Sequence, residues 1–207
     1  MGGKGTQDHG AKESSEERLV EAARRRDPEA LEQIVLQHQK MVYNLALRLT
    51  RDTDEAAVVL QETFLKVFAA LPRFRSRSRL KTWIYRIATN EALQRLRRRG
   101  HRTFVDLDDL EADPERDFGT VAQRLDRSPQ DLLEDRELRE RLEGAIGQLP
   151  PKHRAAFVLV DIEQLSLREA ADAAGISVAA LKTNLHRARL FLRDSLAAYL
   201  EGGKDGN

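Results

Sequence analysis

Charge segregation restricts the folding of this chain more than any other feature of its sequence. Residues 73–102 carry eleven Arg or Lys against Glu91 alone, a balance of +10, and residues 103–137 carry twelve Asp or Glu against four Arg, a balance of −8. The net charge of +1 hides both blocks. Cations at that density cannot be packed into a core, because each buried charge needs a partner. They must face water or an anion. The acidic stretch contains Asp113-Pro114, Ser128-Pro129 and Gly119, with few apolar residues and no sustained helical period. It cannot bury enough surface to fold alone and reads as a flexible linker, with one domain on either side.

With 207 residues, 41% of them hydrophobic and 5% aromatic, the chain suits two small helical domains better than one large core. Cysteine is absent, which removes disulfides, thiolate catalysis and Cys-ligated zinc. His9, His38, His101, His153 and His186 have no metal-ligand spacing. No apolar run is long enough to span a bilayer and the first residues lack the apolar segment of a signal peptide, so a cytoplasmic location is expected. Met1-Gly2 followed by Thr6 matches a myristoylation pattern, but the glycine-rich start reads as a flexible tail. Residues 1–15 and 201–207 are both expected to be mobile.

The first domain is expected over residues 16–100. Asp27-Pro28 has the form of an N-cap with proline at the first helical position, and apolar residues recur at 31, 34, 35, 42, 45 and 49. His38 lies on that apolar face and reads as a core histidine with a partner. A second helix opens near Asp52, spaced to Glu55 as in a capping box, and buries Leu60, Phe64, Val67, Phe68 and Leu71. Val58, Glu62 and Leu65 fall on its opposite face, where two apolar groups beside a carboxylate suit a docking surface. A third helix begins after Ser78 and turns Leu80, Trp83, Ile84 and Ile87 inward. Arg79, Arg86, Asn90 and Arg97 then form one cationic, amide-bearing stripe. Positive charge suits phosphates, forked donors suit base edges, and Trp83 and Tyr85 are candidates for stacking on unpaired bases. Trp83 suits the core equally well.

The second domain is expected over residues 137–200, after a linker spanning 101–136. Leu138, Leu142, Ala145 and Leu149 share a helix face that Pro150-Pro151 terminates, and Lys152 to Glu163 can form another helix. Ser166-Leu167-Arg168-Glu169 is a capping box for a short helix ending at Gly175. Ser177 then caps a helix expected to bury Val178, Leu181, Leu185 and Ala188. Helix, tight turn and helix make a helix-turn-helix, whose second member enters the DNA major groove. Its outward residues are expected to be Lys182, Thr183, His186, Arg187 and, at the margin, Arg189.

Read in order, Glu62-Thr63-Phe64-Leu65-Lys66-Val67-Phe68, Phe74-Arg75-Ser76-Arg77-Ser78, Thr82-Trp83-Ile84-Tyr85-Arg86-Ile87-Ala88 and Leu96-Arg97-Arg98-Arg99 resemble region 2 of extracytoplasmic-function (ECF) sigma factors. Leu149-Pro150-Pro151 through Leu185-His186-Arg187-Ala188-Arg189 resembles their region 4. The resemblance covers about two-thirds of the chain. It implies an all-α protein in which Val58, Gln61, Glu62 and Leu65 dock on the clamp helices of the largest polymerase subunit. It assigns the −10 promoter element to Arg73, Phe74, Arg75, Ser76, Arg79, Trp83, Arg86, Asn90 and Arg97, with the loop from Arg73 to Ser78 holding an extruded base. The −35 element falls to Ser177, Lys182, Thr183, His186, Arg187 and Arg189. Ala57-Val58 stands where an acidic pair is usual, Ser76 where glycine is frequent, and Ala180 and Asn184 where Thr and Arg are common.

The expected partners are bacterial core RNA polymerase, promoter DNA and an anti-sigma factor. No cofactor and no metal are expected. The alternative function is a stand-alone helix-turn-helix regulator. A nuclease comes third, because most carboxylates lie in the linker and no Ser-His-Asp or metal constellation appears.

Overall fold

The computed structural model describes the backbone of residues 6–74, 79–98 and 136–202, and the side chains of residues 15–74, 79–98 and 140–197. Every regular element among the described residues is helical, as the periodicity predicts. The chain divides into two compact units, Met1–Ala92 and Leu93–Asn207. That division falls inside a helix, ahead of the boundary expected at residue 100, and residues 101–135 of the expected linker lie outside the described part.

The first unit holds α1 (Thr6–Arg24), α2 (Pro28–Thr50), α3 (Thr53–Ala70), a 3₁₀ turn over Leu71–Arg73, and α4 (Leu80–Arg98), which runs past the unit boundary. Helix α1 is a departure from expectation, since its backbone is helical from Thr6, inside the stretch read as a tail. The local start signals of α2 and α3 act as their chemistry requires. Asp27 accepts from Glu29 N, with Pro28 following it, and Asp52 accepts from Asp54 N and Glu55 N. Helices α2 and α3 pack along each other. Ile34, Val42, Leu45 and Leu49 of α2 meet a core that includes Val59, Phe64 and Val67 of α3. Leu60 and Phe68 are only half-buried, and the small residues Ala56 and Thr63 take the innermost positions instead.

His38 faces a junction of three helices. Desolvation holds its imidazole below the ordinary value of 6.5, the Glu16 carboxylate of α1 raises it in part, and Lys81 of α4 lowers it further.

The second unit contains α5 (Arg136–Gln148), α6 (Pro151–Phe157), a π turn (Val158–Ile162), α7 (Leu167–Ala174) and α8 (Val178–Gly202). Helix α8 packs against α5, α6 and α7, burying Leu181, Leu185, Ala188, Leu192 and Leu196. Val178, expected in this core, is 38% exposed. It lies in the first turn of α8, beside the tight turn, where the core line has not yet met a neighbour. Arg154 is 2% exposed and was not anticipated as a structural residue. Its Nη2 donates to Gly147 O at 2.8 Å and Leu149 O at 2.9 Å, satisfying carbonyls at the end of α5 that have no partner within the helix.

Two stability predictions follow from these groups. Between pH 6.5 and the lower folded value of His38, the unfolded chain binds a proton that the folded chain refuses. Stability therefore falls as pH drops below 6.5, and His38→Gln should flatten the difference between urea unfolding at about pH 8 and about pH 5.5. An equal pH response in both proteins would contradict the assignment. Arg154→Met should cost roughly 2–4 kcal/mol, because it strands buried carbonyls without changing side-chain volume greatly. A loss below about 0.5 kcal/mol, the scale of an ordinary surface change, would contradict it.

Candidate polymerase and nucleic-acid surfaces

Three outward faces carry the candidate residues. On α3, the inward line runs through Ala56, Val59, Thr63 and Val67. At 100° per residue, Val58, Gln61, Glu62 and Leu65 fall on the other side within about 100° of one another. Leu65 is 64% exposed, Gln61 is exposed, and Val58 and Glu62 are half-buried. A large aliphatic group open to water beside a carboxylate is the composition of a docking surface with a polar edge.

Helix α4 carries the second face. Leu80, Ile84, Ala88, Glu91 and Ala92 are buried, with Tyr85, Thr89 and Thr82 widening the inward arc. Arg79, Arg86, Asn90 and Arg97 are all exposed, and at 100° per residue they lie within about 40° of a single line. Glu91 is turned away from that stripe and its Oε1 accepts from Lys66 Nζ of α3 at 2.5 Å. The one acid of the basic block is thus spent internally, and the stripe keeps its positive potential. Tyr85 corrects an expectation. It is 1% exposed, with Lys81 Nζ 5.7 Å from its ring centroid, and presents no face to a base. It sits about 120° around the helix from the stripe, within the inward arc.

Trp83 flanks the stripe and is half-buried, with its ring 4.7 Å from that of Phe74 at 36°. Phe74 is buried, so it acts as the platform beneath Trp83 rather than as an outward contact. Arg73 is exposed. Arg75 and Ser76 lie outside the described residues.

The third face belongs to the α7–α8 pair. Ser166 and Glu169 form a reciprocal capping box, and Gly175 ends α7 in the left-handed region at φ 69°. A residue with a Cβ would be strained there. Ser177 then accepts from Ala180 N at 3.1 Å and starts α8. Lys182 and Thr183 are exposed, and Arg187 is half-buried. His186 and Arg189 correct the expectation of an outward row. His186 is 8% exposed. Arg189 is held by Asp161 of the π turn, with Nε at 3.0 Å and Nη2 at 2.5 Å from the two carboxylate oxygens. It lies only about 70° from the core line of Leu181, Leu185, Ala188 and Leu192, close enough to reach a neighbouring element. Its fork fixes α8 instead of projecting into solvent. Nothing in the local sequence marks Asp161 as its partner, since the two are 28 residues apart.

Among the described residues no group of three or more His, Cys, Asp or Glu could hold a metal, and no helix is long and apolar enough to cross a membrane.

Comparison with known proteins identifies the family. The chain matches the family descriptions Sigma-70 region 2 over residues 34–102 and Sigma-70, region 4 over residues 139–192. It is 36% identical over 168 residues to the ECF RNA polymerase sigma factor SigE of Mycolicibacterium smegmatis, covering 81% of this chain and 62% of that protein. It is 34% identical over 177 residues to the RNA polymerase sigma-H factor of Pseudomonas aeruginosa, covering 86% of this chain and 91% of that one. A solved structure of CnrH in complex with the cytosolic domain of CnrY superposes with a TM-score of 0.61 at 25% identity, covering 88% of this chain and 97% of the other. The sigma factor RpoE of Bartonella quintana, solved with the anti-sigma factor NepR, shares the fold at 20% identity with a TM-score of 0.57, covering 80% and 96% of the two chains. By both matched regions, in this order and with these relatives, the chain belongs to the sigma-70 family, among its ECF RNA polymerase sigma factors.

Proposed function

We propose that this chain confers promoter recognition and DNA opening on bacterial core RNA polymerase, initiating transcription of a specific set of genes. The observation that carries the reading is the pairing, on one sigma-family chain, of an exposed Arg/Asn stripe on α4 with a capped helix-turn-helix in α7–α8. The first suits an opened strand, whose phosphates and unpaired bases are both accessible. The second suits duplex, because a recognition helix reads base edges from the major groove.

In this reading residues 16–100 bind the polymerase core and the −10 element, residues 101–136 form an acidic connector, and residues 137–200 bind the −35 element. Val58, Gln61, Glu62 and Leu65 form the docking surface. Arg73, Arg75, Ser76, Arg79, Trp83, Arg86, Asn90 and Arg97 meet the opened −10 strand, with Phe74 supporting Trp83. Lys182, Thr183 and Arg187 read the −35 duplex, while Ser177, His186 and Arg189 support them from the cap and from beneath the helix. The factor works in the cytoplasm as a dissociable, non-enzymatic subunit without a cofactor. An anti-sigma factor is its regulatory partner; the similar structures of CnrH with CnrY and of RpoE with NepR support that part of the reading. A regulator acting without polymerase is not favoured, since it gives the outward Leu65 patch no purpose.

Run-off transcription with purified core polymerase tests the proposal: transcripts from a cognate promoter should appear only when this protein is added. Tight, sequence-specific duplex binding by the free protein, with no stimulation of the core, would instead support the stand-alone regulator. Leu65→Arg or Glu62→Arg should abolish core binding in a pull-down while circular dichroism stays unchanged. Loss of helicity in either variant would mean that these side chains hold the domain together. Val58→Asp, which restores a carboxylate to the docking face, should strengthen core binding, and unchanged or weaker binding would count against that placement.

A further inference from the structure

Two side chains of α1 bind the backbone on either side of residues 75–78. Arg24 donates from Nη2 to the carbonyl of Phe74, 50 residues away in sequence. Glu16 accepts through Oε1 from Leu80 N at 2.8 Å, across 64 residues. The two anchors are eight positions apart on one helix, about 12 Å along its axis at 1.5 Å per residue. Helix α1 is therefore a rod that grips both shoulders of one segment.

The grip at Leu80 meets a need that the local sequence leaves open. Leu80 N–H belongs to the first turn of α4, where amide donors have no partner within the helix. The residue before it is Arg79, whose side chain has no acceptor. A carboxylate from α1 does what a serine or aspartate would do locally, and its charge also complements the positive end of the helix dipole. At the other shoulder, the Arg24 contact holds the backbone of Phe74, whose ring carries Trp83. Arg79, Trp83 and Arg86 all emerge within the first two turns that these anchors hold. Both anchors lie outside residues 34–102, the part that matches Sigma-70 region 2.

We propose that Glu16 and Arg24 are positioning residues for promoter opening: α1 holds the start of α4 and the Phe74–Trp83 stack in the arrangement that receives unpaired bases. This rests on assigning α4 to the opened −10 strand.

The test uses holoenzyme assembled with the full chain and follows permanganate reactivity of −10 thymines on duplex promoter DNA. Glu16→Ala should lower open-complex formation about fivefold, equivalent to roughly 1 kcal/mol, with unchanged affinity for core polymerase. Glu16→Gln, whose amide oxygen still accepts from Leu80 N, should recover most of the loss, which a general destabilisation would not predict. Arg24→Gln should reduce opening in the same direction and decides the matter if Glu16→Ala loses helicity. Wild-type opening by Glu16→Ala, or an equal defect in Glu16→Ala and Glu16→Gln, would overturn the proposal. Arg86→Ala separates the two layers. If it fails to open DNA while Glu16→Ala and Arg24→Gln open it normally, only the role of α1 falls; if it too opens normally, the assignment of α4 itself fails.

Discussion

The structure depends on where eleven cations in thirty residues can go. Burying even one of them without a partner costs several kcal/mol, so Arg79, Arg86 and Arg97 stay exposed along one line of α4 while apolar and neutral groups close its buried side. Ile84, Ala88 and Ala92 do the closing. Glu91, the only carboxylate within the block, is drawn inward to Lys66 of α3 rather than left to neutralise the stripe. The same pair ties α4 to the helix that presents Leu65.

Much of this was legible because the signals are local. Asp27, Asp52, Ser166 and Ser177 each start a helix through a bond to an amide two or three residues ahead, and Gly175 ends one through its own backbone freedom. Such contacts need no knowledge of the fold. The stripe on α4 was equally visible, since helical period alone brings Arg79, Arg86, Asn90 and Arg97 together. The chain's membership of the sigma-70 family followed from stretches that combine these signals in a set order.

What was misread depends on partners distant in sequence. Tyr85 and His186 are polar-edged rings, and nothing in their own segments says how wide the inward arc of α4 or α8 becomes once neighbours pack on it. Arg189 reads as an outward cation until Asp161, 28 residues away, takes its guanidinium. The start of helix α1 was read as a tail because its glycines obscure the helical period. Its Arg24 and Glu16 bond to backbone 50 and 64 positions away. Arg154 is the parallel case in the second unit, where a buried cation serves carbonyls rather than a ligand.

The central claim is a division of labour, with α4 acting on separated strands and α8 on duplex. Permanganate footprinting of holoenzymes on linear and on pre-melted templates measures that division directly. Lys182→Ala and Arg187→Ala should each lose affinity for linear promoter DNA by roughly 1–3 kcal/mol per base-specific contact, and a pre-melted −10 region should restore their footprints. Arg86→Ala should stay defective on both templates, because the groups that would hold unpaired bases are incomplete. Rescue of Arg86→Ala by pre-melted DNA, with Lys182→Ala and Arg187→Ala left unrescued, would contradict the account.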